Sequence, residues 1–123
     1  MNTQQMFDTV ARHLLAQNCK SVDLNGIHCR YRGQGDTKCA AGVLIPDSLY
    51  TTAIETLACT VELVAAALTK AGVEVRDLNL LRQLQGIHDG YDPRDWPNQL
   101  RRLAVEHGLD ASATYPTTQE VST

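Results

Sequence analysis

No stretch of this chain approaches the roughly 20 consecutive apolar residues that a membrane-crossing helix requires. Runs such as Leu63 to Leu68 are far shorter. Aromatic residues are scarce, at 5% with a single Trp and a single Phe, so whatever core forms must be mainly aliphatic. An excess of basic charge is also missing: 11 Lys and Arg stand against 14 Asp and Glu, for a formal charge of −3. That balance excludes broad phosphate-driven nucleic-acid binding, which needs a basic face to displace counterions. Cysteine and histidine lack the close pairs that structural zinc sites use. There is no Cys-x2-Cys and no His-x3-His, so a mixed set drawn from Cys29, Cys39 and His88 with Cys19, Cys59 or His28 is disfavoured, and neither metal nor cofactor is expected. The first residues, Met1 to Phe7, show neither a basic stretch nor an apolar signal core. Cys19, Cys29, Cys39 and Cys59 are therefore expected as reduced thiols in a cytoplasmic protein rather than as a disulfide framework.

What is present is the material of one ordinary domain. A chain of 123 residues with 43% hydrophobic and 20% charged residues can bury one core. Met6, Val10 and Leu14, with Phe7, Ala11 and Leu15 beside them, form a helical stripe over residues 3–17, and Asn2 with Gln5 resembles a capping box. Asn25-Gly26 predicts a two-residue β-hairpin turn with both residues at positive φ. That register would set Leu24 opposite Ile27, Val22 opposite Cys29 and Asp23 opposite His28, with Val22, Leu24, Ile27 and Cys29 on the inner face. After a Gly33–Thr37 loop, Asp36 or Thr37 is placed to cap a short helix from Lys38 to about Leu44, stopped by Pro46. A further helical stretch after Asp47, a helix from Thr60 to Ala71 and a strand or connector at Val73 to Val75 follow. Two more helices are expected, one capped by Asp77 and closed by Gly90, the other starting near Trp96 and ending before Gly108. The expectation is an α+β fold, mainly helical with about four to five helices, its N-terminal helix followed by a two-stranded antiparallel hairpin. Residues 1–110 would form the domain, and 111–123, rich in Ser and Thr, a mobile tail.

Three segments, Cys29-Arg-Tyr-Arg-Gly33, Lys38-Cys-Ala-Ala-Gly-Val-Leu-Ile-Pro-Asp47 and Leu84-Gln-Gly-Ile-His-Asp89, together resemble a group of small proteins of bacteriophages and bacteria. The resemblance runs from the first helix through the last. It departs at Ser48, where the pattern would place an acidic residue. It implies a phage-type accessory protein in the host cytoplasm that binds and inhibits or modulates a host factor, including defence components. It carries no activity with it.

The residues themselves offer chemistry to weigh against that. Cys39, in the first turn of the expected helix and beside Lys38, would have its thiolate stabilised by the helix dipole and a cation. His88 would be its base and Asp89 or Asp23 the orienting acid, which makes a thiol-dependent hydrolase or transferase the alternative function. Against this, Cys39 reads more readily as a small core residue, and His88 lies on the apolar face of its helix. Arg30, Arg32 and Lys38 surround Gly33-Gln-Gly35, a loop that could bind an anion such as a nucleotide phosphate, although no Walker A ending follows. Trp96 is a candidate anchor for a partner, or a core residue at a helix junction.

Overall fold

The structure, a computed structural model, describes residues 1–58 and 61–115. Four α-helices carry the fold: α1 (Thr3–Gln17), α2 (Glu62–Lys70), α3 (Leu78–Gly90) and α4 (Trp96–Glu106). The capping box at the start of α1 is reciprocal. Gln5 N–H donates to Asn2 Oδ1 and Asn2 N–H to Gln5 Oε1, both at 2.8 Å, satisfying backbone donors that the first turn leaves over. The stripe Met6, Phe7, Val10, Ala11 and Leu14 is fully buried. Helix α1 packs on α3 and α4, where Leu81, Leu84, Trp96 and Leu100 meet it in one core. No helix among the described residues is long and apolar enough to cross a membrane.

The expected hairpin is not formed, and the α+β assignment is corrected to a helical fold. Backbone pairing among the described residues is limited to the single bridges Val22↔Cys29 and Arg32↔Lys38. Two causes are visible. The connection is wider than the two-residue type: Asp23 N–H donates to His28 C=O at 2.9 Å, closing a four-residue loop inside which Gly26 N–H donates to Asp23 C=O at 2.9 Å across Leu24 and Asn25. Gly26 alone takes positive φ, at 71°, and Asn25 does not. Leu24 and Ile27 thus leave the ladder and stand 83% and 72% exposed instead of facing the core. Beyond Arg30, the strand is captured by a side chain. Tyr31 N–H donates to Glu55 Oε1 at 2.9 Å and Arg32 N–H to Glu55 Oε2 at 3.2 Å, so neither amide extends the ladder.

The middle of the chain, 33–58, is irregular and held by such side-chain contacts to backbone. Instead of a helix from Lys38, there are short 3-10 turns at Gln34–Asp36 and Gly42–Leu44, and the stretch after Asp47 is two more, at Asp47–Leu49 and Thr52–Ile54. Gly42 is placed by crowding: a Cβ there would lie 2.1 Å from Tyr31 O. The end of α1 clasps Lys38, whose N–H donates to Gln17 Oε1 at 2.9 Å while its carbonyl accepts from Gln17 Nε2 at 3.0 Å and contacts His13 Nε2 at 2.8 Å. Val73 to Val75 forms no strand; a 3-10 turn, Val75–Asp77, leads into α3. Of the expected tail, residues 111–115 are packed. Ser112–Thr114 is a 3-10 turn with Ala113 and Thr114 buried, and Arg101 Nη2 donates to Thr114 O at 2.9 Å. The remainder, 116–123, lies outside the described residues.

Candidate functional site

Helix α3 carries the chemistry-bearing residues. Its stripe Leu80, Leu81, Leu84 and Ile87 faces the core, and the same spacing turns His88 inward to full burial against Trp96, ring centroids 5.5 Å apart. Ser21 N–H donates to His88 Nε2 at 2.9 Å. That bond occupies the Nε2 electron pair and leaves the ring proton on Nδ1, which is donated to Asp89 Oδ1 at 2.7 Å. Gln85 Nε2 donates to the same oxygen at 2.8 Å. Partial burial would raise the Asp89 carboxyl, but the His88 and Gln85 hydrogen bonds outweigh it and hold Asp89 below the usual carboxylate range.

The thiol that joins this pair is Cys29 rather than Cys39. The ligand atoms of Cys29, His88 and Asp89 lie within 4.8 Å of one another. Cys39 sits between the Arg32↔Lys38 bridge and a turn, not in the first turn of an α-helix, so no helix dipole acts on it. It is 1% exposed. Burial pushes its thiol up to about 12, despite Gly42 N–H donating to Sγ at 3.4 Å. Burial likewise raises the Cys29 thiol to about 11, reinforced by the neighbouring Asp89 charge. Both sulfurs are therefore protonated near neutral pH. With the accepting nitrogen of His88 already bonded to a backbone amide, the imidazole serves neither thiol as a base.

The same hydrogen bond decides two further possibilities. A metal ion at the Cys29, His88 and Asp89 trio would need the Nδ1 electron pair and would move the ring proton to Nε2, directly against Ser21 N–H. Ser21, His88 and Asp89 have the composition of a hydrolase triad. Yet it is the Ser21 backbone that meets the ring, while Ser21 Oγ is buried without a hydrogen-bond partner. His88 is a structural link between α3 and the chain after α1.

Of the cations expected to hold an anion, the two arginines are likewise engaged. Arg32 Nη1 pairs with Asp47 Oδ1 at 2.7 Å, its Nη2 donates to Ile45 O at 3.0 Å, and the guanidinium lies 4.3 Å over the Tyr50 ring. Arg30 Nε donates to Arg32 O at 3.1 Å, and its Nη2 stands 3.6 Å from Glu55. Lys38 is tied to α1 through its backbone. Trp96 is fully buried, with Nε1 donating to Tyr91 O at 3.1 Å, so it is a core residue and not a surface anchor.

Of the open features of the surface, two adjoin these residues. One is the exposed tip at Leu24 and Ile27. The other is a cleft of about 440 Å³ where Cys29 to Tyr31 and Thr56 to Ala58 face Arg82, Gln85, Gly86 and Asp89 of α3. Comparison with family models, curated proteins and solved structures finds no match to the chain. The site must therefore be read from its own chemistry. Thr56, on the cleft, has φ of 72°, a left-handed conformation that costs a β-branched residue about 1–3 kcal/mol. Its neighbours hold it there: Glu55 binds the Tyr31 and Arg32 amides, and Leu57 C=O accepts from Tyr31 Oη. Sequence reasoning missed Glu55, Thr56, Arg82, Gln85 and Gly86. Only Gly86 left a signal, a glycine inside a helical pattern.

Proposed function

We propose that the protein is a binding module: a small accessory protein of bacteriophage type that docks on a host cytoplasmic protein and modulates or inhibits it without chemistry of its own. The observation that carries this reading is the tip. Two large aliphatic side chains, Leu24 and Ile27, are held in solvent on a braced turn. Asp23 Oδ1 accepts from Ile27 N–H at 3.1 Å, Asp23 Oδ2 meets His28 Nδ1 at 3.0 Å, and Asp23 N–H donates to His28 C=O at 2.9 Å. Exposed apolar groups on a preorganised loop lose little entropy on docking and bury apolar area in a partner pocket. The protonated thiols and the occupied His88 ring weigh against the thiol-enzyme alternative, and the paired arginines against a nucleotide site.

The experiment compares immobilised wild type with the Leu24→Asp and Ile27→Asp variants in capturing a stoichiometric partner from host lysate. Because both side chains are exposed, thermal unfolding should be unchanged within about 0.5 kcal/mol. Capture should be lost. Retained capture by both variants, or no partner for the wild type, would overturn the reading.

A further inference from the structure

Resting on that binding reading, we infer that the cleft along α3 receives an extended segment of the partner in which an acidic and a basic residue stand three positions apart, meeting Arg82 and Asp89. The charges are in place, with no lysine or arginine paired to the Asp89 carboxylate and no carboxylate paired to Arg82 among the described residues. Arg82 bonds only the neutral Asn79 side chain, at 3.0 and 3.3 Å, and belongs to none of the ion pairs among the described residues. Asp89, with its side chain 43% exposed, accepts from His88 Nδ1–H and Gln85 Nε2 and lies beside the Cys29 thiol, none of which is a lysine or arginine. Lys20 Nζ reaches the Asp89 backbone oxygen, at 3.1 Å, rather than the carboxylate. Seven residues of α-helix separate Arg82 from Asp89 by about 10 Å. Residues i and i+3 of a polyproline-II segment share a face about 9 Å apart, which matches that span.

Gly86 lies between the two charges. A Cβ added there meets nothing within 4 Å, so no packing among the described residues calls for glycine. Its effect is to leave the helix backbone bare at the cleft floor, where another backbone can approach. Leu57 and Ala58 supply apolar lining opposite. Arg30 lines both this cleft and the one of about 390 Å³ under Leu24, so tip and cleft share a boundary and one partner can engage both.

The test uses acetyl-Glu-Pro-Pro-Lys-amide and its reversed sequence, with the all-acidic Glu-Pro-Pro-Glu peptide as control, titrated into 15N-labelled protein. Expected are saturable amide shifts centred on Gly86 and Asp89 with at least one mixed-charge peptide. Arg82→Glu should weaken binding about tenfold or more and shift preference to an all-basic peptide. Gly86→Leu should abolish the shifts while thermal melting shows the fold kept. No shifts within 82–89 from either mixed peptide would overturn the inference. Equal saturation by the small zwitterion 6-aminohexanoate would overturn it in favour of a small dipolar ligand. If Leu24→Asp abolishes partner capture while Gly86→Leu and Arg82→Glu leave it intact, the cleft assignment falls and the binding reading stands. If no variant affects capture, both fall.

Discussion

A thiol held at about 12 leaves Cys39 with roughly one thiolate in ten thousand molecules at pH 8. With 1% of its surface exposed, it should be alkylated by iodoacetamide far more slowly than the exposed Cys19, a contrast read by peptide mass spectrometry. Fast labelling of Cys39 in the folded protein would reopen the thiol chemistry. Asp89 makes a second prediction at this scale. Its folded carboxyl is depressed below the ordinary value of 3.8, so it stabilises the fold above that pH and the contribution is lost as pH falls through the folded value. Asp89→Asn should flatten the acid limb of the stability profile below about pH 4, measured by urea unfolding. An unchanged acid limb would show that the His88 link is not made in solution. The inward turn of His88 follows from its spacing after Leu81 and Leu84, and that much is legible from periodicity. Its hydrogen-bond partner is not, because Ser21 lies 67 residues away.

At the level of elements, two glycines should behave oppositely. Gly42→Ala sets a Cβ 2.1 Å from the Tyr31 carbonyl, a clash with backbone that cannot yield cheaply, and should cost about 3 kcal/mol or more. Gly86→Ala meets open space within α3 and should stabilise by about 0.5–1 kcal/mol. Chemical denaturation of the pair decides it. The helices were legible because each buries a 3.6-residue stripe and is bounded by local signals: Asn2 and Gln5 at one end of α1, Gly72 after α2, Gly108 after α4. The hairpin was misread for an equally local reason and a distant one. Asn25-Gly26 favours a tight turn, yet the chain takes Leu24 and Asn25 as turn centre, and Glu55 takes up the Tyr31 and Arg32 amides. A carboxylate 24 residues downstream leaves no trace in the period-2 pattern.

On the scale of the whole molecule, residues 111–115 belong to the fold. Truncation after Asp110 should lower the melting temperature by several degrees, since a loss of about 1–2 kcal/mol moves a domain of this size that far. The removed turn packs on α1 and α4, and Arg101 loses Thr114 and the Tyr115 ring it lies 3.8 Å above. An unchanged melting curve would return this segment to the status of a tail. By itself, the sequence determined a mainly aliphatic core and the buried stripes of the four long helices, though not the loss of the helix expected from Lys38, because helical spacing and caps are properties of neighbours along the chain. Only the tertiary structure decided the fate of the reactive residues and the open surfaces. Burial raised both thiols, a backbone amide took the His88 electron pair, Glu55 took up the Tyr31 and Arg32 amides, and α3 met two irregular segments to form the cleft with an exposed apolar tip beside it. Each of these depends on contacts between segments far apart in sequence, where desolvation and hydrogen-bond pairing are set by what folds against a residue rather than by the residue itself.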